Sequence, residues 1–513
     1  MTDRREPSGE AADESPAPEY TDLVNQALTR TAGAPLVPGN GVRLLKDGTE
    51  NFPAWLDAIG KARKTIHFEN YIFREDETGE QFAAALAGRA RDGVRVRVIQ
   101  DWMGGVGKTS RSFWRKLREA GAEVRIFNPP RPSRPFDWLH RDHRKMLSVD
   151  ASVGFVTGLC VGQMWAGDPA RGIEAWRDTG IEIRGPALTQ IEQAFGRMWA
   201  LAGPPLAEAE LPAAGDIAAA GDTALRIVAN APGTASLLRL DQLVAAAARE
   251  RLWRTDAYFA GIAPYVQALR SAAMDGVDVR LLVPGASDML LLRPLSLAGY
   301  RPLLEAGVRV FEWQGPMLHA KSAVADRGWA RVGSSNLNIA SWLGNYELDA
   351  VVEDERFAAE MAEMYLADLE RSTEIVLHLR QRRRPVEAWQ EMRRIRRPRT
   401  AALPAPRGSA ARAAAGALRL GRTVGAVFSE ERVLGATEAK IVASLGISAL
   451  VLAALALVWP QLIALPVAVL ATWLAVGLLA RARALHRERR ARGLGPTRVG
   501  RRPQEAGGEV TPQ

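Results

Sequence analysis

An eight-residue pattern occurs twice in this chain, and each copy brings the same neighbours. His143-Arg144-Lys145-Met146-Leu147-Ser148-Val149-Asp150 reads H-x-K-x4-D, and His319-Ala320-Lys321-Ser322-Ala323-Val324-Ala325-Asp326 repeats it. Upstream, Asp92-Gly93-Val94-Arg95-Val96-Arg97-Val98 is matched by Asp275-Gly276-Val277-Asp278-Val279-Arg280-Leu281. Nearer the motifs, Ala120-Gly121-Ala122-Glu123-Val124-Arg125-Ile126-Phe127 is matched by Ala306-Gly307-Val308-Arg309-Val310-Phe311. A turn-prone run follows each copy: Thr157-Gly158-Leu159-Cys160 and Gly333-Ser334-Ser335-Asn336. A repeat of roughly 180 residues is far longer than the units that stack into solenoids. The chain is built from two duplicated domains.

Each copy reads as alternating helices and strands. Apolar residues at helical spacing predict helices over 52–62, 81–91, 238–250 and 263–274. Runs rich in β-branched and aromatic residues predict strands over 65–73, 94–99, 253–259 and 277–283. Alternation of this kind predicts an α/β fold, a sheet layered with helices. The Leu-rich stretch 288–300 fits either an ordinary buried helix or an apolar lip for acyl chains.

Within each motif His and Lys are two residues apart. On an extended strand that spacing puts both side chains on one face. An ammonium group offers three donors to an anion. An imidazole attacks, or exchanges protons near neutral pH. The pair describes a site for phosphoryl chemistry without an obvious metal or cofactor. A lone histidine in an apolar strand is ordinarily a satisfied core residue. Two copies, each followed by a turn-prone run, are hard to explain by packing alone. His140, three residues before His143, fits the lining of an entrance better than a catalytic role.

The duplicated motif resembles the signature of the phospholipase D superfamily, over roughly residues 41 to 370. Leu44-Leu45-Lys46-Asp47-Gly48, Glu69-Asn70-Tyr71-Ile72-Phe73 and Trp176-Arg177-Asp178-Thr179 further resemble bacterial cardiolipin synthases. The resemblance implies two α/β domains sharing one active site built from His143, Lys145, Asp150, His319, Lys321 and Asp326. One histidine attacks phosphorus and forms a phosphohistidine; the other serves as acid and then base. An acidic residue beyond each motif orients its histidine. Asp178 and Glu347 hold those places, with Asp178 assigned to His143, the favoured nucleophile. Ser334 and Asn336 are expected to bind the phosphate. The first copy departs from the family pattern, because Cys160 stands where an asparagine is usual. As the only cysteine, Cys160 excludes an internal disulfide and reads as a small buried residue.

The ends of the chain add a second theme. Residues 1–40 contain an acidic, Pro- and Ala-rich start without an apolar signal core and are expected to form a disordered arm. The first domain is expected over 41–204, a linker over 205–225, and the second domain over 226–370. A basic linker over 371–440 then leads to 441–480, where no side chain is charged. One helix of that length would reach about 60 Å, twice a hydrocarbon core of about 30 Å. With Trp459-Pro460-Gln461 at its midpoint, the stretch predicts a transmembrane helical hairpin, followed by a basic tail over 481–513.

Charge separates the candidate functions. Residues 380–399 carry nine arginines against two glutamates, and 481–502 nine against one. Both ends of the hairpin are therefore expected on the cytoplasmic side of a bacterial inner membrane, with the catalytic domains there too. These two segments contribute +15 to a chain of net charge +9, so the rest is −6. A nuclease would carry its basic surface over the active site. Here the cations flank the membrane segment, as anionic phospholipid headgroups favour. The reading is a membrane phosphatidyltransferase that converts two phosphatidylglycerols to cardiolipin and glycerol, with no nucleic-acid partner. A hydrolytic phospholipase D remains an alternative, and a nuclease or a non-catalytic membrane adaptor are weaker ones.

Overall fold

The computed structural model describes residues 18–131, 137–286 and 292–376, with Thr472, Trp473, Ala475 and Val476. In the first copy the strands are β1 (Val37–Lys46), β2 (Thr65–Asn70), β3 (Arg95–Asp101), β4 (Glu123–Phe127), β5 (Lys145–Val149), β6 (Val153–Thr157) and β7 (Thr179–Arg184). Those of the second are β8 (Thr223–Asn230), β9 (Arg251–Asp256), β10 (Asp278–Pro284), β11 (Arg309–Trp313), β12 (Lys321–Ala325), β13 (Trp329–Gly333) and β14 (Glu347–Glu353). A short β15 (Ser372–Ile375) is added at the edge.

The first copy is ordered β1-β7-β6-β5-β2-β3-β4 and the second β8-β14-β13-β12-β9-β10-β11. One order becomes the other when each strand is replaced by its counterpart, which is the duplication seen in three dimensions. In both copies the three strands farthest from the seam run parallel, and the motif strand lies antiparallel beside them. Lys145 therefore sits opposite Asn70, and Lys321 opposite Asp256.

The copies are joined through β1. Its start pairs with β8 and the residues from Gly41 onward with β7. Gly39, with φ of +85°, lies where the register shifts. A positive φ is cheap only for glycine, so the chain turns this corner at little strain.

Alternation along β2 shows how the layers form. Ile66 and Phe68 face Trp55 and Phe82, in a cluster drawn from the first copy alone. His67 faces the other way and pairs with Glu192 of the helix Leu188–Ala202. A second cluster belongs to the second copy and includes Leu28, Ala32 and Ala34. The third is common to both: Ile191, Phe195 and Trp199 share it with Leu225, Leu348 and Met361. Burying side chains of this size stabilises by roughly 1.5–3 kcal/mol each. Part of the core therefore exists only when the two copies are together.

Several expectations change. The arm expected over 1–40 is folded from Pro18: a helix spans Pro18–Ala32 and β1 starts at Val37. Leu28 and Ala32 explain this, because they bury an apolar stripe against the second copy. The stretch between the copies is tied down, with Glu210 accepting from Arg95 and Arg97 at 2.7 Å each. The strand expected over 65–73 is β2, which stops at Asn70, short of Phe73. Of the Leu-rich stretch, Leu292 onward is helix to Glu305, with Tyr300 and Leu303 buried. Among the described residues no helix is long and apolar enough to cross a membrane. The predicted hairpin over 441–480 lies outside them, save the four named above.

Candidate active site

Both histidines stand two residues before a strand, in extended chain, and each is laced to the other copy. The His143 amide donates to the Tyr346 carbonyl at 3.0 Å, and the Tyr346 amide to the Arg141 carbonyl at 2.8 Å. In the counterpart, the His319 amide donates to the Arg177 carbonyl at 2.7 Å, and the Arg177 amide to Met317 at 3.0 Å. These backbone ladders bring the residue after Tyr346 onto His143 and the residue after Arg177 onto His319.

The acids are consequently exchanged. His143 Nδ1 lies 3.0 Å from both carboxylate oxygens of Glu347. His319 Nδ1 lies 2.7 Å from Asp178 Oδ2. The expectation that Asp178 orients His143 is corrected: each histidine takes its acid from the opposite copy. An imidazole that donates Nδ1–H to a carboxylate keeps the lone pair on Nε2. Both rings are fixed in the tautomer needed for attack on phosphorus or for accepting a proton.

The lysines join as the spacing predicts. Lys145 Nζ donates to the His143 carbonyl at 2.5 Å, and Lys321 Nζ to the His319 carbonyl. Lys321 Nζ also lies 2.8 Å from His319 Nδ1. An aromatic wall closes each side. The Tyr71 ring meets His143 edge-on at 4.8 Å, and Tyr258 meets His319 at 5.8 Å. The two tyrosines differ by one position in register: Tyr71 directly follows the residue opposite Lys145, and Tyr258 comes two after the residue opposite Lys321. Trp165 and Trp176 enclose His319 further, at 5.4 and 5.8 Å.

Burial governs the protonation of this cluster. Desolvation lowers His143 to about 4, with Glu347 pulling the other way and Lys145 adding to the fall. Desolvation also lowers His319 to about 3, helped by Lys321 and opposed by Asp178. Lys321 is lowered by burial to about 8. Both carboxylates stay low despite their burial: Lys321 and His319 hold Asp178 down, while His143 and Lys145 hold Glu347 down. The two sets sense each other: Lys321 adds to the fall of His143, and Lys145 to that of His319.

Three assignments from the sequence need correction. Asp150 and Asp326 lie at the far ends of β5 and β12, about 16 Å of strand from the lysines at ~3.3 Å per residue. Asp150 accepts from the amides of Arg63, Lys64 and Thr65 at 2.7–2.8 Å. Asp326 accepts from those of Arg249, Glu250 and Arg251 at 2.8–3.1 Å. Both tie a strand start to the motif and touch no reacting atom. Ser334 is likewise engaged elsewhere: its hydroxyl donates to Glu347 and accepts from the Leu348 amide. It holds the acid, which leaves the phosphate-binding expectation with Asn336, whose side-chain NH2 is the group able to donate to a phosphate oxygen.

The first copy is shaped differently at this loop. Gly158 stands where Ser334 stands, and a Cβ on it would come 2.1 Å from Asp178 Oδ1. Cys160 is buried in the place of Asn336, and burial raises its thiol. His140 is exposed and its Nδ1 lies 3.1 Å from the Gly344 carbonyl, so it borders the site without joining it. Sequence reasoning passed over Trp165 and Arg177. For Arg177 the signal was present in the Trp-Arg-Asp-Thr run.

Residues 55–199 and 243–369 match the family described as cardiolipin synthase, PLD-like domain. The chain is 32% identical over 361 residues to a cardiolipin synthase of Halalkalibacterium halodurans, covering 69% of this chain and 71% of that one. It is 35% identical over 354 residues to cardiolipin synthase A of Pseudomonas aeruginosa, covering 68% and 71%. In structure it is similar to phosphatidylserine synthase of Haemophilus influenzae, with a TM-score of 0.54 at 12% identity, over 72% of this chain and 96% of that one. Duplicated motif, shared core and matched relatives together establish that the chain belongs to the cardiolipin synthase family of phospholipase D-like proteins.

Proposed function

We propose that the chain is a membrane-bound phosphatidyltransferase, a cardiolipin synthase that joins two phosphatidylglycerols and releases glycerol. The observation that carries the reading is the pair of crossed acid–histidine couples beside two lysines. In the first half-reaction His143 Nε2 attacks phosphorus, a P–N bond forms, and the P–O bond to glycerol breaks. The departing oxygen takes a proton from His319. In the second, the hydroxyl of another phosphatidylglycerol gives its proton to His319, its oxygen attacks phosphorus, and the P–N bond breaks. One phosphodiester replaces another, so no nucleotide is consumed. Lys145 and Lys321 stabilise the phosphate oxygens as charge grows on them. Burial keeps both histidines neutral before substrate arrives, which suits attack; the bound phosphate anion favours the proton that His319 must then carry.

Membrane attachment at the bacterial inner membrane, with the catalytic domains on the cytoplasmic side, rests on the uncharged stretch 441–480 and its arginine-rich flanks. The loops around the site support it. Val106, Leu139, Ile173, Ile339 and Leu343 are each 38–57% exposed, and each lies within five residues of Asp101, His143, Asp178, Asn336 or Glu347. Exposed apolar residues that flank the site residues in the chain are what a protein meeting an apolar phase would carry there.

The test is the purified full-length protein with labelled phosphatidylglycerol in vesicles, products separated by mass. Labelled cardiolipin with free glycerol is expected. Phosphatidic acid as the main product would make the chain a hydrolase. His143→Ala and His319→Ala should each abolish transfer in folded protein. Deleting 441–513 should release the catalytic body from membranes under salt and carbonate washes.

A further inference from the structure

We propose that Arg177 is a positioning residue for His319, acting by clamping the Arg177–Asp178 dipeptide of the first copy to Asp368 of the second. The inference rests on the proposed transferase reading for its assay but on separate residues for its argument. Arg177 is buried, with Nε donating to Asp368 Oδ1 at 2.8 Å and Nη2 to Asp368 Oδ2 at 2.9 Å. Two parallel N–H···O bonds of this kind fix direction as well as distance. Asp368 lies in the helix Glu355–Glu370, which packs its Phe357, Met361 and Tyr365 into the shared core. The anchor is therefore rigid.

The other end of the clamp is the catalytic histidine. The Arg177 carbonyl accepts from the His319 amide at 2.7 Å, and the next residue supplies the Asp178 carboxylate to the His319 ring. Asp47 completes the hold: its Oδ1 accepts from Arg177 Nη1 at 3.1 Å and from the Asp178 amide at 2.8 Å. Backbone and ring of His319 are thus both referred, through two adjacent residues, to one bidentate ion pair.

The first histidine is held otherwise. Tyr346 occupies the equivalent place and meets Phe127 edge-on at 5.6 Å, with Arg144 5.8 Å over its ring. Glu347 is instead steadied by Ser334 and by Asn345 Nδ2 at 3.2 Å. In the first copy Gly158 leaves no hydroxyl to do for Asp178 what Ser334 does for Glu347. The Arg177 clamp supplies that missing restraint from the other direction.

The experiment uses the full-length protein in phosphatidylglycerol vesicles. Removing Arg177 alone strands the carboxylates of Asp368 and Asp47, so the main variant is the pair Arg177→Met with Asp368→Leu made together with Asp47→Asn, which removes all three charges and keeps an oxygen to accept from the Asp178 amide. Wild-type turnover is measured first; its absence would fail the proposed function and not the clamp. In active protein we expect the triple variant to melt close to wild type, with KM within about twofold and kcat down about ten- to a hundredfold, the scale of a displaced catalytic group. Placed on Asp178→Asn, the same set should lower kcat no further; placed on Glu347→Gln, it should lower it fully. Where the triple variant fails to fold, Arg177→Lys takes its place, keeping the charge and losing the fork. Recovery of kcat together with stability, or equal losses in both acid backgrounds, would overturn the proposal.

Discussion

His143 and Glu347 are 204 positions apart in the chain, and both carboxylate oxygens of the glutamate lie 3.0 Å from the histidine Nδ1. The mirror couple, Asp178 with His319, spans 141 positions. The catalytic unit is therefore not the repeated motif. It is a motif from one copy completed by an acid from the other.

That exchange predicts which acid serves which chemical step. With His319→Asn and a phospholipid carrying a good leaving group, phosphatidyl label should collect on His143. Adding Glu347→Gln should slow that labelling by about 10²–10⁴-fold, the cost of losing the acid that sets a catalytic imidazole's tautomer. Adding Asp178→Asn should leave it nearly unchanged. Peptide mapping under mildly basic conditions preserves the labile P–N bond and reads the result. Label lost with Asp178→Asn and kept with Glu347→Gln would mean that the couples are not crossed in solution.

The third member of each motif should behave as a stability residue. Asp150→Ala and Asp326→Ala each leave three backbone amides without their acceptor. A loss of about 1–3 kcal/mol per variant is expected from chemical denaturation. The kcat of the folded fraction should stay within a few-fold of wild type.

Cys160 fills the position of Asn336 beside both lysines. Cys160→Asn places an amide donor where only a thiol stands, and its activity should equal or exceed that of wild type at saturating phosphatidylglycerol. A folded but inactive variant would show that this side of the site is shaped for a small side chain.

The pH response follows from Lys321, which burial lowers to about 8. Its charged form stabilises phosphate, so kcat/KM should fall as pH rises through about 8. Neither histidine gains a proton in the free enzyme until pH drops to about 4 or below. Nothing in the two couples therefore blocks attack by a neutral imidazole between pH 5 and 7. In Lys321→Arg the step near 8 should vanish from whatever activity remains, because guanidinium does not titrate there. A step that persists unchanged would belong to another group.

Much of this was legible in the residues. The duplication, the α/β alternation, the helix over 263–274 and the two His–Lys pairs came from spacing alone, because local periodicity carries them. The crossed acids were not legible. Asp178 and Glu347 were visible as matching positions, but which histidine each reaches depends on Tyr346 and Arg177 pairing with the extended chain just before the motif strand of the opposite copy. Asp150 and Asp326 misled for a related reason: a motif read along the chain hides that five residues of strand separate its ends. The fold of 18–40 was missed because its apolar stripe, Leu28 and Ala32, is sparse and finds its partner only in the second copy.

The exchange of acids also sets a clock on synthesis. A ribosome that has made the first two hundred residues has already made His143, Lys145 and Asp178, yet His143 has no acid and Asp178 has no histidine. The nascent chain carries the letters of a nucleophile without its aim. Chemistry switches on only after Glu347 emerges and the two copies close on their common core. An incomplete polypeptide thereby holds no completed histidine–acid couple, and the site doubles as a proof that the whole catalytic body was made.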